Sequence, residues 1–463
     1  MSPETLLGQI DERTLIDFVE GRRWFGQKAE EVVHARLLDT ALLRSQPPVL
    51  AVGIAEIRFS PGTHQLYQLL LGYRSEEDAW EEEVVAQVEG QVVYDALADP
   101  ALSRELVHLM RSGAAVQAEE GAITFGSVDL AAFEVDLYEP RPIGVEQSNT
   151  SVVFGDELIL KAYRRLEPGI NPELELLRFL TERGFPNIAA LSGWYAYSGS
   201  LISATLGLLQ RFVPGAVGGW ELALEELGSD PEGFLGRVRR LGEVTGDLHS
   251  ALASDSSDPD FAPEEPSTEA LALLTATVDE EIEAIFLDLP EGEAAVEPIR
   301  GRGEEVRDRL RLFSHVGAAG KVIRHHGDYH LGQVLWTGTD WLVIDFEGEP
   351  ARSLPERRQK RSPLRDVAGM LRSFAYVASA AEILEGAAPP ADWEARAREF
   401  FLDGYFERVD QSLVPPGQEA RNRLTAVFEL EKAVYELRYE LNNRPDWVGI
   451  PVAGIVRILE ADL

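Results

Sequence analysis

The chain has 463 residues, 45% of them apolar, which is enough for two or three packed units rather than one core. Its 43 lysines and arginines face 79 aspartates and glutamates, a net charge of −36, which argues against a nucleic-acid surface and against an anionic membrane. There is no cysteine, so disulfides, thiol nucleophiles and thiolate metal sites are excluded.

The opening MSPETLLGQIDERT has neither a basic nor an apolar leader region, and no apolar run reaches membrane-spanning length. A cytoplasmic protein is expected. Thr14 to Val19 reads as a short amphipathic helix. Arg22-Arg23-Trp24-Phe25-Gly26-Gln27-Lys28 follows, readable as a helix end with an anchoring Trp and snorkelling arginines. Ala51 to Phe59 and Gln65 to Tyr73 alternate like strands of an antiparallel sheet, and the acidic run Glu76 to Glu83 reads as solvated. Residues 1–95 are taken as a first unit.

Residues 96–213 read as a mixed sheet with helices. Ala101 to Arg111 has helical spacing, while Gly121 to Phe125 and Ala132 to Val135 are strand-like. The polar turn Gln147-Ser148-Asn149-Thr150-Ser151 joins two strands, and it could cradle phosphate through hydroxyls, amides and backbone N–H groups. Such a composition is also ordinary for a hairpin. Leu158 to Tyr163 is a strand with one lysine, Lys161. A lysine in an apolar strand is costly unless paired. The helix opening at Asn171-Pro172 offers Glu173 and Glu175. Glu175 is the expected partner, because Glu173 in the first turn could serve only the helix dipole. Leu206 to Val213, stopped by Pro214-Gly215, is the candidate hinge between lobes.

Residues 214–463 are expected to be mainly helical. Within them, IRHHGDYHLGQVLWTGTDWLVIDFEGEP, residues 323–350, carries the chemistry. A polar loop holds His326, Asp328, His330 and Gln333; a short hairpin turns at residues 337–340; and its second strand ends at Asp345, before Phe346-Glu347. A carboxylate on a loop, with an amide and a second carboxylate at a strand end, suits phosphoryl transfer. One acid faces the attacking hydroxyl and the other groups ligate Mg²⁺. A metallohydrolase built on His326 and His330 is disfavoured, since H-x-x-x-H fits a metal on a helix and here lies in a loop. The basic cluster Glu356 to Arg361 reads as a solvated loop or an attractor for ATP. Asp366 then opens a helix. Phe428 to Leu441 is helical, with Leu430, Val434, Leu437 and Leu441 on one stripe and Lys432, Tyr435, Glu436 and Tyr439 on another. The second stripe suits a sugar, through stacking phenols and charged hydrogen-bonding groups.

The order H-G-D-x-H-x-x-Q, apolar strand, D-F-E resembles the catalytic and metal loops of the aminoglycoside phosphotransferase-like kinases. HHGDYHLGQ with VIDFEGEP resembles the maltokinases among them, which phosphorylate maltose at its anomeric hydroxyl. The R-R-W-F-G-x-K segment is similar to their N-terminal cap, and E-K-A-V-Y-E-x-x-Y-E-x-x-N-R-P to their acceptor helix. Related kinases for other sugars, including glucosamine, share much of this pattern. The resemblance implies an α+β, bilobal, eukaryotic-kinase-like fold with an N-terminal cap subdomain, ATP and Mg²⁺ as cofactors, and, as the expected activity, ATP-dependent conversion of maltose to maltose 1-phosphate. Asp328 would be the catalytic residue, and Gln333 and Asp345 the metal ligands. The nucleotide would be held by Lys161, Glu175, the turn from Gln147 to Ser151, and Gln210, Arg211 and Val213. The sugar would meet His330, Glu347, Lys432, Tyr435, Glu436 and Tyr439, while Asp366 would brace the catalytic loop. A partner enzyme of trehalose or glycogen metabolism and a monomer or homodimer are further expectations. Extra carboxylates at the acceptor, among them Glu347, Glu349 and Glu436, would suit glucosamine, giving glucosamine 6-phosphate. A catalytically silent nucleotide or sugar sensor is the alternative from another class.

Overall fold

The computed structural model describes residues 10–27, 30–60, 62–78, 80–134, 140–143, 149–314, 319–386 and 389–460. It divides into two compact units, Met1–Gly184 with Ala189–Pro214, and Phe185–Ile188 with Gly215–Leu463.

The first unit holds two antiparallel sheets. Its chain runs through helix α1 (Glu12–Glu20) and strands β1 (Val32–Arg44), β2 (Val49–Phe59), β3 (His64–Ser75), β4 (Val84–Val88) and β5 (Gln91–Asp95). Helix α2 (Pro100–Ser112), β6 (Ala115–Gln117), β7 (Gly121–Ser127), β8 (Arg141–Ile143), β9 (Asn149–Phe154), β10 (Leu158–Tyr163) and β11 (Arg165–Leu166) follow. Helix α3 (Pro172–Glu182), β12 (Leu191–Gly199) and β13 (Ser203–Arg211) complete it. The first sheet has the order β1-β2-β3-β5-β4, with β11 added on β3, and the second β6-β7-β12-β13-β10-β9-β8.

β2 is apolar on both faces because both faces are covered. Alternate residues point oppositely, so Ala51, Ala55 and Ile57 join a core with Leu15, Phe18 and Val19 of α1. Leu50, Val52 and Ile54 join a second core with Leu102, Leu106 and Met110 of α2 and with Val152, Leu158 and Leu209 of the second sheet. The Asp11 carboxylate caps α1 by accepting from the Thr14 amide at 2.9 Å. Trp24 is buried against Tyr67, and the Arg22 guanidinium lies over Phe18; Lys28 falls outside the described residues. The strand expected at Ala132 to Val135 is instead a 3-10 turn, Leu130–Phe133, because Asp129 caps it by accepting from the Ala131 amide; Val135 lies outside the described residues.

The second unit is mainly helical. Its elements are β14 (Val217–Gly218), α4 (Gly219–Ser229), α5 (Pro231–Leu252), α6 (Thr268–Leu287), α7 (Gly303–Ser314), β15 (Val334–Trp336), β16 (Trp341–Val343), α8 (Leu354–Arg357), α9 (Leu364–Glu385), α10 (Trp393–Arg408), α11 (Gln418–Asn443) and α12 (Gly449–Glu460). Helices α5 and α10 touch backbone to backbone. A Cβ at Gly242 would lie 2.1 Å from the Phe401 carbonyl oxygen, so glycine is what permits the approach. The β15–β16 hairpin pairs Val334 with Val343 and Trp336 with Trp341. It turns where Thr337 donates its hydroxyl to the Asp340 carbonyl. The α11 stripe of Leu430, Val434 and Leu437 packs into a core with α6, α7 and α12.

Candidate active site

In the first unit, Lys161 sits mid-strand on β10, paired with Ser151 of β9 and Leu208 of β13. Its ammonium meets the Glu173 carboxylate at 3.0 Å, and the same oxygen accepts from the Tyr163 hydroxyl at 2.7 Å. Glu173 thus partners Lys161, where Glu175 was expected. The first helical turn of α3 faces β10, and Asn171 fixes its start by accepting from the Glu173 amide. Two residues on, about half a turn round the helix, Glu175 adds its charge to the field on Arg178. Asn149, Thr150 and Ser151 open β9, while Gln147 and Ser148 lie outside the described residues. Gln210 and Arg211 end β13 opposite Ile159 and Leu158, with Val213 just beyond.

In the second unit, the loop carrying Asp328 is held from beneath by Asp366, near the start of α9. Its two carboxylate oxygens accept from the Gly327 amide at 2.9 Å and the His326 amide at 2.8 Å. His249 of α5 donates from Nε2 to the same carboxylate at 3.1 Å, and its Nδ1 accepts from the Tyr405 hydroxyl. Burial alone would raise the Asp366 carboxyl, but the surrounding histidines hold it below the usual carboxylate range. His326 crosses to the hairpin. Its Nε2 donates to the Ile344 carbonyl at 2.9 Å and its Nδ1 accepts from the Asp328 amide at 3.3 Å. The loop and the strand end are thus tied by one imidazole.

Asp345 follows with φ +62°, in the left-handed region. Asp tolerates this better than most residues, and backbone held there tends to mark working sites. Gln333 donates from Nε2 to an Asp345 oxygen at 3.1 Å.

The Asp328 carboxylate stands between two cations or potential cations. Lys432 Nζ of α11 is 3.5 Å from one oxygen and His330 Nε2 is 3.9 Å from the other. His330 Nδ1 accepts from the Gly332 amide, so the ring proton belongs on Nε2, facing Asp328. Burial first, and then the Lys432 ammonium, hold His330 below the ordinary imidazole range despite Asp328. Burial would lower Lys432, but Asp328, Glu349 and Glu436 outweigh it and keep its pKa above the usual lysine value.

Two cavities meet at Lys432. One, of about 460 Å³, is lined by Asp328, Tyr435, Glu349, Arg352 and Arg361. The other, of about 400 Å³, is lined by His330, Glu436, Trp220, Tyr376, Arg444 and Trp447. Glu436 is gripped by Arg372 through Nε at 2.9 Å and Nη2 at 2.7 Å, both side chains being buried. Two expected acceptor residues line neither cavity. Tyr439 is 45% exposed and lies against the Arg444 guanidinium, which it supports from outside. Glu347 is the other; Glu349, also read as facing the acceptor, lines the first cavity, its carboxylate fixed by Arg352 at 2.7 Å.

Sequence reasoning missed Arg372, Arg444, Trp220 and Trp447. Arg372 left one signal, a guanidinium inside the apolar run Met370-Leu371-Arg372-Ser373-Phe374, which requires a buried partner.

Residues 139–397, more than half the chain, match the phosphotransferase enzyme family, and residues 18–99 match the maltokinase N-terminal cap domain. The chain belongs to the phosphotransferase enzyme family. It is 28% identical to a glucosamine kinase of Mycolicibacterium smegmatis over 69% of this chain and 79% of that protein. To a glucosamine kinase of Streptacidiphilus jiangxiensis it is 26% identical, over 74% and 80%. A solved glucosamine kinase in complex with glucosamine, ADP and inorganic phosphate superposes with a TM-score of 0.71 at 22% identity, over 96% of this chain and 98% of that one. The fold of this phosphotransferase is thus that of a cap-bearing kinase. Among the described residues no helix is long and apolar enough to cross a membrane.

Proposed function

We propose that this phosphotransferase moves the γ-phosphoryl group of ATP to a sugar hydroxyl, with Asp328 as the catalytic residue. The observation that carries the reading is the Asp328 carboxylate in the wall of the first cavity, flanked by Lys432, where the second cavity begins, and by His330, which lines the second. Asp328 accepts a hydrogen bond from the acceptor hydroxyl, aims its oxygen and takes the proton as the P–O bond forms. Orientation matters more than basicity, because a carboxylate is a weak base at neutral pH. Lys432 and the His330 N–H hold that carboxylate from both sides. Lys161, steadied by Glu173, is the nucleotide's phosphate contact.

Gln333 and Asp345 fit Mg²⁺. Their amide and carboxylate oxygens are hard donors, and the bond between them keeps the two heads adjacent. Held there, the ion would supply charge neutralisation for the phosphate oxygens.

Glucosamine is the first acceptor to test, because the named relatives are glucosamine kinases and Glu436 and Glu349 line the cavities with carboxylate. Maltose is the second reading, favoured by the maltokinase cap and by the second cavity beyond Lys432, whose volume of about 400 Å³ leaves room for another ring. ADP release from Mg·ATP is measured with glucosamine, maltose and glucose. Turnover on either of the first two assigns the acceptor, and silence on all three with ADP binding retained points to a sensor.

A further inference from the structure

Arg164 lies where the first unit passes from one sheet to the other. Tyr163, before it, pairs with Asn149 of β9, and Arg165, after it, pairs with Tyr67 of β3. Its own carbonyl accepts from the Gln68 amide of β3 at 2.7 Å. The side chain repeats the crossing. Nη2 donates to Asp95, the last residue of β5, at 2.6 Å. Nε donates to the Thr150 hydroxyl on β9 at 2.8 Å. The guanidinium lies 5.3 Å from the Trp24 ring, and the residue is 1% exposed. Asp95 and Trp24 belong to the segment matched as a cap domain; Thr150 lies one residue from Ser151, the cross-strand neighbour of Lys161.

Stability alone is a poor account of this arrangement. A buried ion pair replaced by apolar groups is often no less stable, and Arg164 keeps a third nitrogen, Nη1, buried with no hydrogen-bond partner. What a guanidinium supplies, and an apolar group does not, is a planar fork that fixes two acceptors relative to one another. Here the two acceptors are the end of the cap sheet and the start of the strand beside Lys161.

We propose that Arg164 is a positioning residue through which the cap domain sets the nucleotide-binding strands, so that displacement of β5 is read out as nucleotide affinity. This rests on the reading of Lys161 as a nucleotide contact. Arg164 is too buried to touch a nucleotide itself, so any effect it has on binding is transmitted.

Calorimetric titration with Mg·ADP, which needs no acceptor sugar, tests it. Asp95→Asn and Arg164→Lys each keep size and polarity while breaking one half of the fork. Each is expected to weaken Mg·ADP binding roughly tenfold, the scale of one hydrogen bond to a charged group. Each combined with Thr150→Val is expected to bind no more weakly than the worse single variant, since the three act in series. Arg164→Lys retains charge beside Asp95 and decides the question should Asp95→Asn not fold. Unchanged affinity in Arg164→Lys, or strictly additive losses in the double variants, overturns the proposal. An unsubstituted protein that does not bind Mg·ADP overturns the nucleotide reading and this inference with it.

Discussion

At the scale of single residues, the proposed function divides the labour at the acceptor between Asp328 and Lys432. Asp328→Asn keeps the size and one acceptor oxygen but loses the charge that draws the hydroxyl proton. Its kcat is expected to fall by about 10²–10⁴, the usual contribution of such a group, with Mg·ADP affinity unchanged. A calorimetric loss of nucleotide binding would instead assign Asp328 to the nucleotide. Lys432→Met keeps the stem and removes the ammonium 3.5 Å from Asp328. Acceptor KM is expected to rise several-fold while the KM for ATP holds; equal changes in both would make Lys432 a folding residue. The short spacing of Asp328, His330, Gln333 and Asp345 in the sequence already implied that they lie close together, as Gln333 and Asp345 do at 3.1 Å and His330 and Asp328 at 3.9 Å. Glu173 was not legible in this way. Choosing between two acids on one helix needs the rotation of that helix against β10, and spacing alone leaves it open.

At the scale of elements, the loop carrying Asp328 has little regular structure of its own and borrows rigidity from helices. Asp366 of α9 holds two successive loop amides, and His249 of α5 holds Asp366. Asp366→Asn has one acceptor oxygen where two are needed. We expect kcat to drop at least tenfold with both KM values within about twofold, since one buried N–H loses its partner at about 1–3 kcal/mol. A change confined to KM would place the effect in binding rather than in loop geometry. The Arg372–Glu436 pair joins α9 to α11 in the same buried manner. Glu436→Ala is expected to cost the second unit about 3–5 kcal/mol, the penalty for leaving a buried charge alone, and chemical unfolding of that unit measures it. Helices of this kind are easy to foresee, since an apolar stripe at helical spacing marks the packed face of α11. Which polar residue of the other stripe points into a cavity is not. Tyr439 shares the stripe with Lys432 and Tyr435, yet it is exposed and lies against the Arg444 guanidinium.

At the scale of the whole molecule, the charge of −36 makes acid pH an instructive variable. Protonating surface carboxylates relieves self-repulsion, while one buried histidine, His325, opposes acidification. Burial pushes His325 down from the ordinary 6.5 to about 3, and its Nδ1 has no hydrogen-bond partner. In the unfolded chain His325 takes up a proton as pH falls through 6.5; in the folded chain it does so only near 3. Between those values the unfolded state binds more protons, so the His325 contribution falls as pH falls, by up to about 1.4 kcal/mol per pH unit. Asp366 joins only lower down. Its depressed folded-state pKa gives stability that is present above the ordinary carboxylate range and lost as pH drops below it. Between pH 6.5 and 4.5 the two are therefore separable. His325→Gln removes the titration without removing the polar group. The difference in unfolding free energy between the unsubstituted protein and this variant, followed by hydrogen exchange of the α9 amides, cancels the surface-charge background common to both. That difference is expected to move steadily in favour of the variant as pH is lowered from 6.5 to 4.5. A flat difference would mean that His325 binds its proton equally well in the folded chain, which would require the interior beneath the catalytic loop to open to water at mildly acid pH.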